Sequence, residues 1–265
     1  MKQLMKQPIG HHVTCSLADG RVIAPTLEDR RVLSRVVLEK SVDHRLLGFN
    51  CADTHLHTEF AEPESVSMEV THRIEASLHY RLHLPVAFVK AYPEPILKQQ
   101  HLINCFNYIL RQQPHHNLAW DPYLEASNLP DLLGLRLIGA HTIRHVKTLL
   151  PRVDRPQLLG YLGLSSLEPA DGPLEQVIPA ALAAAALPDL RGRGPEKAAA
   201  RRAVMEIVGE RMTLTELAAQ MDVNRRTLQR TRAHPIAADA ALVKAIRLQL
   251  ALRRLKADHT MGPYE

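Results

Sequence analysis

RLLGFNCADTHLHTEF, Arg45 to Phe60, holds two short runs of strand-forming residues on either side of a turn at Cys51 to Thr54. In the second run His55, His57 and Glu59 alternate with Leu56, Thr58 and Phe60. An extended strand sends residues i and i+2 to the same face, so the segment reads as a β-hairpin whose two imidazoles point the same way. They either share one divalent ion or are two half-exposed strand histidines. The chain carries fifteen histidines, so a His-x-His pair is close to what chance supplies, and its surroundings must decide.

Outward from the hairpin, HHVTCSL (His11–Leu17) reads as a strand and LEDRRVLSRVVLEKS (Leu27–Ser41) as a helix with acidic residues at its positive end. PESVSMEVTHRIEASLHYR (Pro63–Arg81) reads as a second helix and PVAFVKAY (Pro85–Tyr92) as another strand. PILKQQHLINCFNYILRQQ (Pro95–Gln113) reads as a third helix with proline in its first turn. The order β-α-β-β-α-β-α predicts an α+β fold over residues 1–116, a ferredoxin-like antiparallel sheet with helices on one face. After PHHN the pattern turns helical, from about Leu129. A helical connecting region is expected over 117–195, with Ser165–Pro195 as linking structure, and an all-α domain over 196–265.

Apolar residues make up 46% of the 265, enough for a folded core, and aromatics only 4%, which argues against a platform for base stacking. Cys15, Cys51 and Cys105 have no close pairing, which fits a reducing compartment and excludes a thiolate zinc cluster. No apolar run has the length of a signal or membrane segment, so a cytoplasmic protein without a membrane partner is expected. The net charge of +5 is unevenly spread. Arg191 to Lys256 holds fifteen Lys/Arg against six Asp/Glu, the footprint of a phosphate-backbone binder.

On the third helix Tyr108 and Gln112 stand four apart, one above the other on the same face. Beside the histidine pair they would offer a hydroxyl and an amide oxygen. Two nitrogens and one neutral oxygen leave positions open on a divalent ion, which then polarises a phosphoryl oxygen. A tyrosine hydroxyl with an ordinary pKa of about 10 is a poor nucleophile at neutral pH, so such polarisation has a second use. A phosphotyrosine ester also preserves the bond energy, so a strand can be cut and rejoined without ATP.

The element order, the His55-Leu56-His57 pair and Tyr-x-x-x-Gln on a later helix (Tyr108 to Gln112) resemble the single-tyrosine HUH transposases. These are the single-strand DNA transposases of insertion sequences and their REP-associated relatives. The likeness covers about Pro8 to Pro114. It implies that His55, His57 and Gln112 ligate Mg²⁺ or Mn²⁺ and that Tyr108 attacks a scissile phosphate in single-stranded or hairpin DNA. The enzyme is then linked to the 5′ phosphate and a 3′ hydroxyl is released. Ala52, Asp53 and Thr54 stand where the family usually has a Pro-Asn turn. The site would be completed within a monomer or between the chains of a homodimer.

MTLTELAAQMDVNRRTLQRTR, Met212 to Arg232, has the pattern of a helix-turn-helix. Thr213 caps a first helix, with Glu216 three residues on as in a capping box, and Met221 to Val223 make the turn. A second helix from Asn224 turns Arg225, Arg226, Gln229 and Arg230 outward, toward the phosphates and base edges of duplex DNA. Two other functions compete. DTHLH also resembles the metal-binding strand of amidohydrolases and PHP-type phosphoesterases, which activate a water. The protein is otherwise a non-catalytic, domesticated DNA-binding regulator.

Overall fold

Alternate residues along the first strands separate into an apolar and a polar set, and the sheet they build keeps the two sets on opposite faces. The computed structural model describes residues 7–112, 123–233 and 237–258. Strands β1 (Gly10–Ser16), β2 (Leu46–Cys51), β3 (His55–Phe60) and β4 (Tyr92–Ile96) form an antiparallel sheet in the order β2-β3-β1-β4. Helices α1 (Leu27–Lys40) and α2 (Glu64–Arg81) cover the apolar face. Val13, Cys15, Phe49, Leu56 and Phe60 from the strands meet Leu33 and Val37 of α1 and Val70 and Ile74 of α2. Burying each large apolar side chain contributes roughly 1.5–3 kcal/mol, which makes this layer the anchor of the sheet. Thr26 starts α1 through a reciprocal capping box with Asp29.

Helix α3 (Gln99–Leu110) lies on the other face, so helices flank both sides of the sheet rather than one. The fourth strand also differs from the sequence reading. It is YPEPI, while the segment Pro85 to Ala91 pairs just past the end of β1, through the Leu17–Phe88 bridge, Val89 N–H donating to the Ser16 carbonyl and Ala18 N–H donating to the Ala87 carbonyl. Pro95 therefore lies within a strand, and the helix expected from it begins only at Gln99. β4 is an edge strand, and Pro93 and Pro95, two apart, both point their missing N–H away from β1. The other edge, β2, is clasped by the segment after Glu125. Cys51 N–H donates to the Ala126 carbonyl, Asn128 Oδ1 accepts from Phe49 N–H at 3.0 Å, and Asn128 Nδ2 donates to the Leu47 carbonyl at 2.9 Å.

At Gly10 a Cβ would come within 2.5 Å of the Phe60 carbonyl and 3.2 Å of Ala61 Cα, both backbone. Gly10→Ala must therefore push β1 from β3. We expect a loss of about 1–3 kcal/mol, read as a lower urea midpoint.

The rest of the described chain is helical: α4 (Leu129–Leu132), α5 (Ala140–Leu149), α6 (Arg155–Gly160), α7 (Leu174–Ala185), α8 (Pro195–Val208), α9 (Leu214–Gln220), α10 (Arg225–Ala233) and α11 (Ala240–Asp258). The segment Ser165–Pro195, expected as linking structure, contains the packed helix α7. Val177, Ala180, Ala181 and Ala184 are wholly buried, and their small side chains let α8 and α11 approach closely. Leu248, Ala251 and Leu252 of α11 also reach the core that holds Leu102 and Phe106 of α3. A buried carboxylate adds a polar tie. Glu125 accepts from Arg31 of α1 at 2.5 and 3.1 Å and from Arg253 of α11 at 3.4 Å. Among the described residues no helix is long and apolar enough to cross a membrane.

Candidate active site

The polar set of the strands lies under α3. His12 and Thr14 on β1, His55, His57 and Glu59 on β3, and Glu94 on β4 share this face by strand alternation. The register sets Thr14 opposite His57, and His12 between Glu59 and Glu94. Two features of β2 seat the helix. Gly48 has no side chain where Phe106 passes, a Cβ there being 3.4 Å from that ring, and Asn50 Nδ2 donates to the Ile109 carbonyl at 2.9 Å. The seating fixes where Tyr108 stands. Its ring is edge-on to His57, with centroids 5.9 Å apart, and to His12, at 6.1 Å. Tyr108 keeps 38% of its surface exposed, so the site opens to solvent on the tyrosine side.

His12 Nε2 lies 3.1 Å from His57 Nδ1, and His12 Nδ1 lies 3.4 Å from a Glu94 carboxylate oxygen. Burial holds His12 below the usual histidine range, with Glu94 opposing and His101 adding to the shift. A neutral imidazole has one N–H, and an ionised carboxylate only accepts, so Nδ1–H of His12 donates to Glu94. His12 Nε2 then accepts from Nδ1–H of His57. This chain of contacts holds the Nδ1 side of His57, as neighbours hold the ring of a metal-ligating histidine. Thr14 Oγ1, 3.2 Å from His57 Nδ1, braces the same nitrogen.

His55 is half-exposed beside this group, its ring 6.2 Å from that of His57 and its Nδ1 2.8 Å from Thr54 Oγ1. Gln112 is buried just past the end of α3, and its Nε2 donates to the Tyr108 carbonyl at 3.3 Å. Thus Tyr108 and His55 flank His57 on one face, and the Gln112 amide is tied to the Tyr108 backbone. Among the described residues no three His, Cys, Asp or Glu side chains gather as a ready ligand set; two imidazoles with an amide oxygen are a set of different composition. His12, Thr14 and Glu94 were not anticipated. The alternation in HHVT puts His12 and Thr14 on one face, but only the β1–β3 register brings them to His57.

Glu59, on the same face, is wholly buried, and neither carboxyl oxygen has a hydrogen-bond partner among the described residues. Burial pushes its carboxyl well above the usual range, so it stays protonated when folded. The unfolded chain releases this proton near its ordinary value of 4.5, so the folded state binds more protons above that pH and stability falls as pH rises. Glu59→Gln removes the penalty. The metal-free variant should match the wild type near pH 4 and exceed it at neutral pH in urea melts, and parallel pH curves would refute a protonated Glu59.

The C-terminal candidates lie on α9 and α10. Thr213 caps α9, accepting from Glu216 N–H, while the Glu216 carboxylate accepts from Thr213 N–H at 2.8 Å. Asp222, with φ of 50°, reverses the chain, and Asn224 Oδ1 accepts from Arg226 N–H at 2.8 Å to begin α10. Leu228 is buried, and Arg225, Arg226, Gln229 and Arg230 are exposed. No protein-family model, curated protein or solved structure matches this chain.

Proposed function

We propose that the protein is a metal-dependent single-strand DNA transposase or recombinase that cleaves and rejoins DNA through a 5′-phosphotyrosine. The observation that carries this reading is Tyr108 standing edge-on to His57 and His12 on the polar face of an antiparallel sheet. The four-stranded antiparallel sheet, built from a β-α-β-β-α-β-α succession, supports the ferredoxin-like part of the same reading. Two short helices joined by a tight turn, with arginines on the outer side of the second, support a helix-turn-helix for duplex DNA. The rival water-activating barrel hydrolase needs parallel strands, and the described sheet is antiparallel throughout.

His55 and His57 with the Gln112 amide oxygen would hold Mg²⁺ or Mn²⁺. Among the described residues the Glu59 carboxyl, buried on the same face, has no hydrogen-bond partner, which fits a cation. When bound, the ion supplies Lewis-acid polarisation of a phosphoryl oxygen. The Tyr108 hydroxyl oxygen gives up its proton and forms the new bond to phosphorus, the bond from phosphorus to the 3′ oxygen breaks, and that oxygen leaves with its electron pair and takes up one proton, so that none is gained or lost overall. A 3′ hydroxyl on a second strand reverses the exchange. Glu94, His12 and Thr14 hold the His57 ring in one tautomer and orientation throughout.

The test is a pool of labelled single-stranded and hairpin oligonucleotides incubated with the protein in Mn²⁺ or EDTA. An adduct that survives denaturation and needs the metal supports the proposal. Tight binding without an adduct points to the non-catalytic regulator, and free cleaved ends without an adduct point to a hydrolase.

A further inference from the structure

We propose that the cleft between α8 and α10 is a phosphate site that grips the backbone of duplex DNA. The inference deepens, and rests on, the reading of α9 and α10 as a DNA-binding unit. The cleft holds about 500 Å³ and is lined by Arg191, Arg193, Arg201, Arg202 and Arg230, against one acid, Asp222. Asp222 is already engaged by Arg191 at 3.4 Å, and the nearby Asp189 accepts from Lys197 at 2.8 Å. Arg193, Arg202 and Arg230 form no ion pair with the described residues.

Arg201 is the buried floor. Only 5% of it is exposed, and its Nη1 donates to the carbonyls of Leu190 and Gly192, which shapes the loop before α8. Among the described residues its buried Nε has no partner, and neither has that of Arg202. Burial, with the neighbouring Arg202 adding, lowers the proton affinity of Arg201, so this cluster bears a charge it does not neutralise internally. An oxyanion supplies the counter-charge and accepts hydrogen bonds from the exposed guanidinium forks of Arg193 and Arg230.

Position selects the source of that oxyanion. Arg230 belongs both to the cleft and to the exposed side of α10, and Asn224 and Thr227 from the start of α10 also line it. When the start of α10 enters a major groove, the flanking backbone runs over the cleft, where phosphate contacts fix register without reading sequence. No aromatic side chain lines the cleft among the described residues, so it offers nothing on which the bases of a single strand would stack.

The test uses the full chain and labelled duplexes of several sequences, with affinity followed across salt concentrations. Arg193→Gln/Arg202→Gln should weaken binding about tenfold on every sequence, and the slope of log affinity against log salt should flatten by about 0.9 for each phosphate no longer neutralised. Adduct formation on single strands should be unchanged. Arg193→Gln alone, at an exposed position, keeps the test decisive if the double variant misfolds. Unchanged affinity and slope while the wild type binds duplex would overturn the phosphate cleft and leave the DNA-binding unit standing. A wild type that binds no duplex would overturn both.

Discussion

With Tyr108 as the proposed nucleophile, replacing it with phenylalanine is expected to abolish the denaturation-resistant DNA adduct and to lower strand cleavage by at least about 10³-fold. The substitution removes one oxygen atom. The ring contacts to His12 and His57 involve the aromatic edge and face, so the fold and the polar face beneath α3 persist. Affinity for single-stranded DNA should therefore stay within a few-fold of wild type while chemistry disappears, separating nucleophile from binding residue. Gel analysis after denaturation, beside a binding titration on the same oligonucleotide, checks both halves. An adduct that persists in the variant would place the nucleophile elsewhere and end the proposal for Tyr108.

Glu125→Ala lowers the stability of the fold by about 3–5 kcal/mol, moving the urea midpoint down by roughly 1–2 M. The carboxylate lies in the interior between Arg31 and Arg253, both nearly fully buried, and its removal leaves two guanidinium groups in a low-dielectric region without the charge that balanced them. Arg31 belongs to α1 on the apolar face of the sheet and Arg253 to α11, so the loss loosens the attachment of the last helix to the first. A drop below about 1 kcal/mol would mean that solvent reaches and screens the network.

Much of the sheet was legible because its residues alternate. His55 and His57 are two apart, the apolar partners of β1 and β3 follow the same period, and Tyr108 falls on an amphipathic helix. What escaped depends on neighbours remote in sequence. HHVT reads as strand, but the role of His12 comes from a register that joins residues 45 positions apart. YPEPI carries two prolines, which count against a strand unless its outer edge is known to be unpaired. The alanine-rich α7, interrupted by Pro179, reads as a linker until α8 and α11 are seen to bury it. At the C-terminus, Thr213, Glu216 and Asn224 carry local capping chemistry and their helix starts were plain, whereas the arginine cleft arises only when the loop before α8 folds against α10.

The two rims of the sheet limit how copies of this protein can join. On one rim Pro93 and Pro95 turn hydrogen-free nitrogens outward, and on the other Asn128 occupies the donors and acceptors of β2 with its own amide. Neither rim offers the ladder that a neighbouring strand needs. Two molecules working together at paired DNA ends would then meet through helices or through the nucleic acid itself rather than by extending the sheet.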